Sequence, residues 1–146
     1  MFFEGVFSIK APREKVWSYI SNPELVAKTL PELKELKIHS ENRFTAKVRL
    51  GIGWIKGDFD FDFTIADIIP GAHARLLSHG TGVKSQIDFD AVIDLTDSPE
   101  GGSILSWKAN VMVGGLLASV GQRLIGSAAE KIVNQLFEGL RQELER

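Results

Sequence analysis

The chain has 146 residues, 44% of them hydrophobic, with 17 basic and 19 acidic side chains and no cysteine. The length suits one domain over 1–146 that buries roughly 68–70% of its unfolded surface and needs no covalent or metal staple. The missing cysteines exclude disulfides, thiolate metal sites and cysteine nucleophiles, and a net charge of −2 argues against nucleic acid as a partner.

The opening Met1-Phe2-Phe3-Glu4-Gly5-Val6 lacks the basic and long apolar regions of a signal peptide. No apolar run reaches the ~18 residues of a membrane span, so the expectation is a cytoplasmic protein. Phe3, Gly5, Phe7 and Ile9 alternate with Glu4, Val6 and Ser8, which predicts a first strand. Ala11-Pro12-Arg13-Glu14 opens a helix of about two turns carrying Val16, Trp17 and Ile20. Ser21-Asn22-Pro23-Glu24 ends it and starts a second short helix with Leu25, Val26 and Leu30 on one side. Ser21 or Asn22 is the expected cap, and Pro31 the expected stop.

Strands fill most of the remainder. One is predicted over 33–39, turned by Glu41-Asn42. Next, Phe44, Ala46, Val48, Leu50 and Ile52 alternate with Thr45, Lys47 and Arg49. The clearest alternation sets Phe59, Phe61, Phe63 and Ile65 against Asp58, Asp60, Asp62 and Thr64. Pro70-Gly71 is a turn, followed by a strand over 73–80. Ile87, Phe89, Ala91, Ile93 and Leu95 form another, and Leu105, Trp107, Ala109, Val111 and Val113 the last. One apolar and one polar face per strand is the pattern of an antiparallel sheet packed on one side only.

At Gly114-Gly115 the period changes. Leu117, Val120, Leu124, Ala128, Ile132, Leu136 and Leu140 predict one helix over 116–144, about 28 residues and roughly 40 Å long. No second long helix exists to cover its apolar stripe, so the stripe must lie on the sheet. The expected fold is α+β: a curved antiparallel sheet of about seven strands around a long C-terminal helix, with two short helices after the first strand.

Several stretches then resemble one family. They are Gly5-Val6-Phe7-Ser8-Ile9-Lys10-Ala11-Pro12, Glu14-Lys15-Val16-Trp17 and Asn22-Pro23-Glu24. Leu30-Pro31-Glu32-Leu33 follows, with Glu32 where glycine is usual, then the 51–57 and Gly80-Thr81-Gly82 segments. The last is the 113–125 segment, Val-Gly-Gly-Leu-Leu-Ala-Ser-Val-Gly-Gln-Arg-Leu-Ile. Over nearly its whole length the chain resembles the CoxG family, the small G component of carbon monoxide dehydrogenase, within the START-like (SRPBCC) helix-grip superfamily. The resemblance implies a hydrophobic cavity between sheet and helix, and the expected function is a non-enzymatic binding protein. It also implies work beside a carbon monoxide dehydrogenase-type oxidoreductase, by carrying a quinone or lipid or by recruiting the enzyme to a membrane. No other cofactor is expected.

The apolar faces admit two readings, an ordinary packed core or a cavity for a lipid or quinone. Small residues (Ser119, Gly121, Gly126, Ala128, Ala129) favour the cavity, because glycine inside a helix costs about 1 kcal/mol against alanine. The expected wall is Phe61, Phe63, Phe89, Trp107, Leu117, Gly121, Leu124 and Ile125, and the expected rim is Trp54, Ile55 and the 23–30 helix. Gly51-Ile52-Gly53-Trp54-Ile55-Lys56-Gly57 is not a dinucleotide loop, since a strand and not a helix follows it. Trp54 either folds over the cavity mouth or meets a membrane or partner beside Lys56.

Catalytic signals are thin. His73 and His79 stand roughly 20 Å apart along one strand and cannot share a metal, and none is expected. Asp58, Asp60, Asp62, Asp88, Asp90 and Asp94 have outward parity. No nucleophile elbow occurs, and Ser119 reads as capping or close packing. A cyclase or hydrolase would have to draw on Gln86, Ser106, Asn110, Arg75 and Tyr19, of which Ser106 and Asn110 have outward parity.

Overall fold

The computed structural model describes residues 1–30 and 32–145, which leaves the expected helix stop at Pro31 outside the described residues. Seven strands form one antiparallel sheet: β1 (Phe2–Ile9), β2 (Leu33–Ser40), β3 (Arg43–Ile52), β4 (Ile55–Ile69), β5 (His73–Gly82), β6 (Ser85–Asp97) and β7 (Ser103–Gly115). Their spatial order is β1-β7-β6-β5-β4-β3-β2. Two short helices, α1 (Arg13–Ile20) and α2 (Pro23–Ala27), link β1 to β2. Asn22 is the cap of α2: its side-chain oxygen accepts from the backbone N–H of Glu24 at 3.1 Å and of Leu25 at 3.4 Å. Ser21 instead ends α1. The second helix stops at Ala27, short of the expected 30.

The single helix expected over 116–144 is two pieces. A short 3-10 helix spans Leu116–Val120, and α3 spans Gln122–Leu144. Gly121 separates them at φ 97°, a conformation that side chains resist and that cannot continue a right-handed helix. The 51–57 segment is likewise tighter than a loop. β3 runs to Ile52, β4 starts at Ile55, and only Gly53 and Trp54 turn between them. Gly53 has φ 61°, as the first position of such a hairpin turn needs.

Register fixes what the inner face carries. Ala46–Phe61–Gly80–Ile87–Val113 form one cross-strand row, and Phe44–Phe63–Ser78–Phe89–Val111 the next. Ile65–Leu76–Ala91–Ala109–Phe3 follow, and then Ala74–Ile93–Trp107–Gly5. Leu95–Leu105–Phe7 lie beyond them. The outer face holds the charges in cross-strand pairs. All six aspartates named above are matched there: Asp58 with Arg49, Asp60 with Lys47, Asp62 with Arg43, Asp88 with His79, Asp90 with Arg75 and Asp94 with His73.

Buried side chains gather into two separate clusters. The first joins Phe44, Phe59, Phe61 and Phe63 of β3 and β4 to Leu117 and Ile125. The second joins Ile9, Val16, Leu95 and Leu105 to Leu140 and Leu144 of α3. Ile125, Leu140 and Leu144 lie on one stripe, so α3 bridges the two clusters with its two ends.

Candidate functional site

Between the two clusters lies a band of the inner face that is apolar and not closed. Ile65, Leu76, Ala91, Ala109 and Phe3 make one complete row across five strands, and all five are half-buried. So are Ala74, Ile93, Trp107 and Gly5 in the row beside it. The facing turns of α3 contribute Ala128, Ala129, Ile132 and Val133, also half-buried. The cause is local. Phenylalanines fill the rows toward the β3–β4 turn, whereas alanine stands at 74, 91 and 109 in the band and at 128 and 129 on the helix. Short side chains on both walls reach less far between sheet and helix than the phenylalanines do, while Ala128 and Ile132 pack against the first cluster and Phe137 stacks on Phe7 at 3.7 Å.

The band opens at the β1 edge. There a cleft of about 260 Å³ is lined by residues 3–7 and Trp107 of the sheet, Glu4 among them, and by Ala129, Glu130, Val133 and Asn134 of α3. A second depression of about 340 Å³ lies mainly on the outer face, among Lys37, Lys47, Asp60, Asp62 and His79. Asp60 and Asp62 are paired with Lys47 and Arg43 there, and Glu35 also lines it.

The expected wall and rim residues separate into three groups. Ile55, Phe61, Phe63, Leu117 and Ile125 are buried members of the first cluster. Phe89 and Trp107 are half-buried and border the open band. Trp54 and Leu124 are exposed, at 62% and 47%, and Gly121 is exposed at the break before α3. Trp54 therefore does not fold over the inner face. Its hairpin reaches the start of α3 instead: a Cβ on Gly53 would stand 2.7 Å from Val120 and 3.4 Å from Leu124. In the 23–30 segment only Ala27 is fully buried, and Leu30 packs against the first cluster.

Among the described residues, two polar atoms of the inner face are buried without a hydrogen-bond partner, the Ser78 hydroxyl and the Trp107 indole N–H. Ser78 sits under the rings of Phe63 and Phe89, whose centroids meet at 6.0 Å across the strand between them. The sequence carried a signal for it. Ser78 shares parity with Ala74, Leu76 and Gly80, and a hydroxyl on the apolar parity of a strand calls for a reason.

The remaining polar candidates face elsewhere. Arg75 is held by Asp90 at 2.5 Å and Asp67 at 3.7 Å. The hydrogen bonds and charge of that pairing hold Asp90 below the usual carboxylate range and push Arg75 further up. Gln86, Ser106 and Asn110 have outward parity, and Tyr19 packs against the second cluster. Ser119 donates to the Leu116 carbonyl at 2.6 Å. Among the described residues, no three His, Asp or Glu gather closely enough to hold a metal ion. None of the described helices is long and apolar enough to cross a membrane.

Such a sheet gripping one long helix defines a START-like helix-grip protein. The profile of the CoxG family, the G component of carbon monoxide dehydrogenase, matches residues 5–145, and the chain belongs to that family. A conserved protein from Geobacillus kaustophilus is 29% identical over 99% of this chain and 95% of its own, with a TM-score of 0.93. Two others share the fold at low identity. A START superfamily protein from Mycobacterium smegmatis is 13% identical over 99% of this chain and 97% of its own (TM-score 0.74). The Zhui aromatase/cyclase from Streptomyces sp. R1128 is 9% identical over 100% and 94% (TM-score 0.75). No curated protein matches the chain.

Proposed function

We propose that this chain is a non-enzymatic binding protein for an apolar small molecule, held in the half-open band between the middle of the sheet and α3. The observation that carries this reading is the complete half-buried row Ile65–Leu76–Ala91–Ala109–Phe3 between two closed clusters. An apolar guest gains about 25 cal/mol for each Å² of apolar surface it removes from water there. Acid–base chemistry finds little support. The inner-parity residues of 57–63, 74–80, 87–95 and 105–113 include no titratable side chain. Family membership supports a quinone or lipid as the guest and a carbon monoxide dehydrogenase-type oxidoreductase as the partner.

The test is to fill the band. Ala91→Phe places a ring in the middle of the row. Titrated with the neutral fluorescent probe N-phenyl-1-naphthylamine, the wild-type protein is expected to bind and Ala91→Phe to bind at least tenfold more weakly with its fold intact. Equal binding would overturn the assignment. Mass spectrometry of an organic extract of the protein then identifies the resident guest.

A recruiting role at a membrane has its own observation. Trp54 (62% exposed) and Leu124 (47%) lie where the β3–β4 turn meets the start of α3, and Leu116 (39%) opens the 3-10 helix just before it. Lys56 and Arg123 are exposed on the same segments, and Lys84, whose carbonyl accepts from the Leu116 N–H at 3.0 Å, is exposed in the β5–β6 turn. An apolar tip ringed by cations suits an anionic bilayer, where each cation contributes about 1 kcal/mol. With phosphatidylglycerol vesicles, the wild type is expected to float and Trp54→Ser to stay in the dense fraction. Equal flotation of the two proteins removes the tip from consideration.

A further inference from the structure

Trp107 stands where the band opens to solvent at the β1 edge, in the wall of the 260 Å³ cleft. Its indole lies flat against β1, and Gly5 makes that possible: a Cβ on Gly5 would come within 2.7 Å of Nε1. Glycine in a strand interior weakens the strand and marks a close approach of this kind. The indole N–H, a donor with no acceptor capacity, is buried and has no partner. Buried indoles normally find an acceptor, because an unmatched donor costs the free energy of its lost hydration. Phe3, Phe7, Ala129 and Val133 line the cleft on its apolar side and Ile93 is the cross-strand neighbour of Trp107, while the polar members of the lining, Glu4, Glu130 and Asn134, make no hydrogen bond to the indole.

We propose that the Trp107 N–H is the recognition handle of this mouth, donating to an oxygen acceptor, a carbonyl or an ether, on an otherwise apolar guest. The inference rests on the band being a ligand site and adds which functional group the site selects. The apolar lining sets the guest's shape and surface. The unmatched donor sets its polarity, since an oxygen arriving there satisfies an N–H that no described residue satisfies. A pure hydrocarbon leaves the N–H as it was and gains only burial.

The experiment compares 2-acetylnaphthalene with 2-ethylnaphthalene, two compounds of nearly the same shape that differ in one oxygen. On the full chain the ketone is expected to bind about tenfold more tightly, the worth of one hydrogen bond to a buried donor. With ¹⁵N-labelled indoles, the Trp107 resonance is expected to move on adding the ketone and those of Trp17 and Trp54 to stay. Trp107→Phe should abolish the preference while leaving the hydrocarbon's affinity within about threefold. Gly5→Ala keeps the N–H but forces the indole off its seat, and should reduce the preference in a protein whose ring is intact. Equal binding of ketone and hydrocarbon to the wild type, or an undiminished preference in both variants, overturns the handle and leaves the apolar site standing. Binding of neither compound overturns the site and the handle together.

Discussion

The two halves of the inner face follow the same alternation and end differently. Toward the β3–β4 turn, Phe44 and Phe63 stack at 4.6 Å, and Phe61 lies 5.8 Å from Phe63 and 6.3 Å from Phe59. These rings, with Leu117 and Ile125 above them, close the interior, and Phe59 is wholly inaccessible. Toward the β1 edge Ala74, Ala91 and Ala109 interrupt the larger inner side chains, and every member of two rows is only half-buried. Parity decides which face a residue takes, but side-chain volume decides whether that face becomes core or container.

The largest effect that can break this contrast comes from truncating one aliphatic or aromatic group on each side. Phe59→Ala removes a ring from a filled cluster and is expected to cost about 3–5 kcal/mol of unfolding free energy. Leu76→Ala acts on a half-buried residue at the margin of the first cluster and is expected to cost under about 2 kcal/mol. Urea unfolding of the two variants against the wild type measures both. Similar losses would mean that the band is as closed as the cluster.

How far this contrast was legible in the sequence follows from the same distinction. The strands were readable because alternation such as Phe59-Asp60-Phe61-Asp62-Phe63 reports directly on a pleated surface with one dry side. So was the need for α3 to cover the sheet. The break at Gly121 was not, because the apolar period continues through it from Leu117 to Leu124 and only the backbone angle shows the interruption. For the site, the sequence brought forward the large apolar residues. Five of those nine, Phe61 and Leu117 among them, pack into closed core. The open band is marked by small residues, whose effect depends on which ones the register sets side by side across five strands. Gly5 and Trp107, far apart in the chain, meet only through the β1–β7 pairing.

The smallest effect sharpens the contrast at the closed end, where the β5–β6 turn tests what packing tolerates. Val83 and Lys84 form a two-residue turn with φ 49° and 55°, a hand that suits Asn-Gly and disfavours a β-branched residue. Each left-handed residue costs roughly 1–2 kcal/mol relative to glycine's freedom there. The two differ in what they receive in exchange. Val83 packs against Gly57, at 2.6 Å from where a Cβ would stand, and joins the first cluster. Lys84 is exposed. Its carbonyl accepts from the Leu116 N–H at 3.0 Å, a bond that any residue at 84 retains. Lys84→Gly is therefore expected to raise stability by about 0.5–1 kcal/mol, strain relief minus the entropy that glycine adds to the unfolded chain. Val83→Gly relieves the same strain but strips a methyl pair from the cluster, worth about 0.8 kcal/mol for each group buried, and is expected to gain nothing or lose. Thermal unfolding separates them. A rise in both variants would show that Val83 contributes little to the closed half, and that the Gly57 contact is incidental to it.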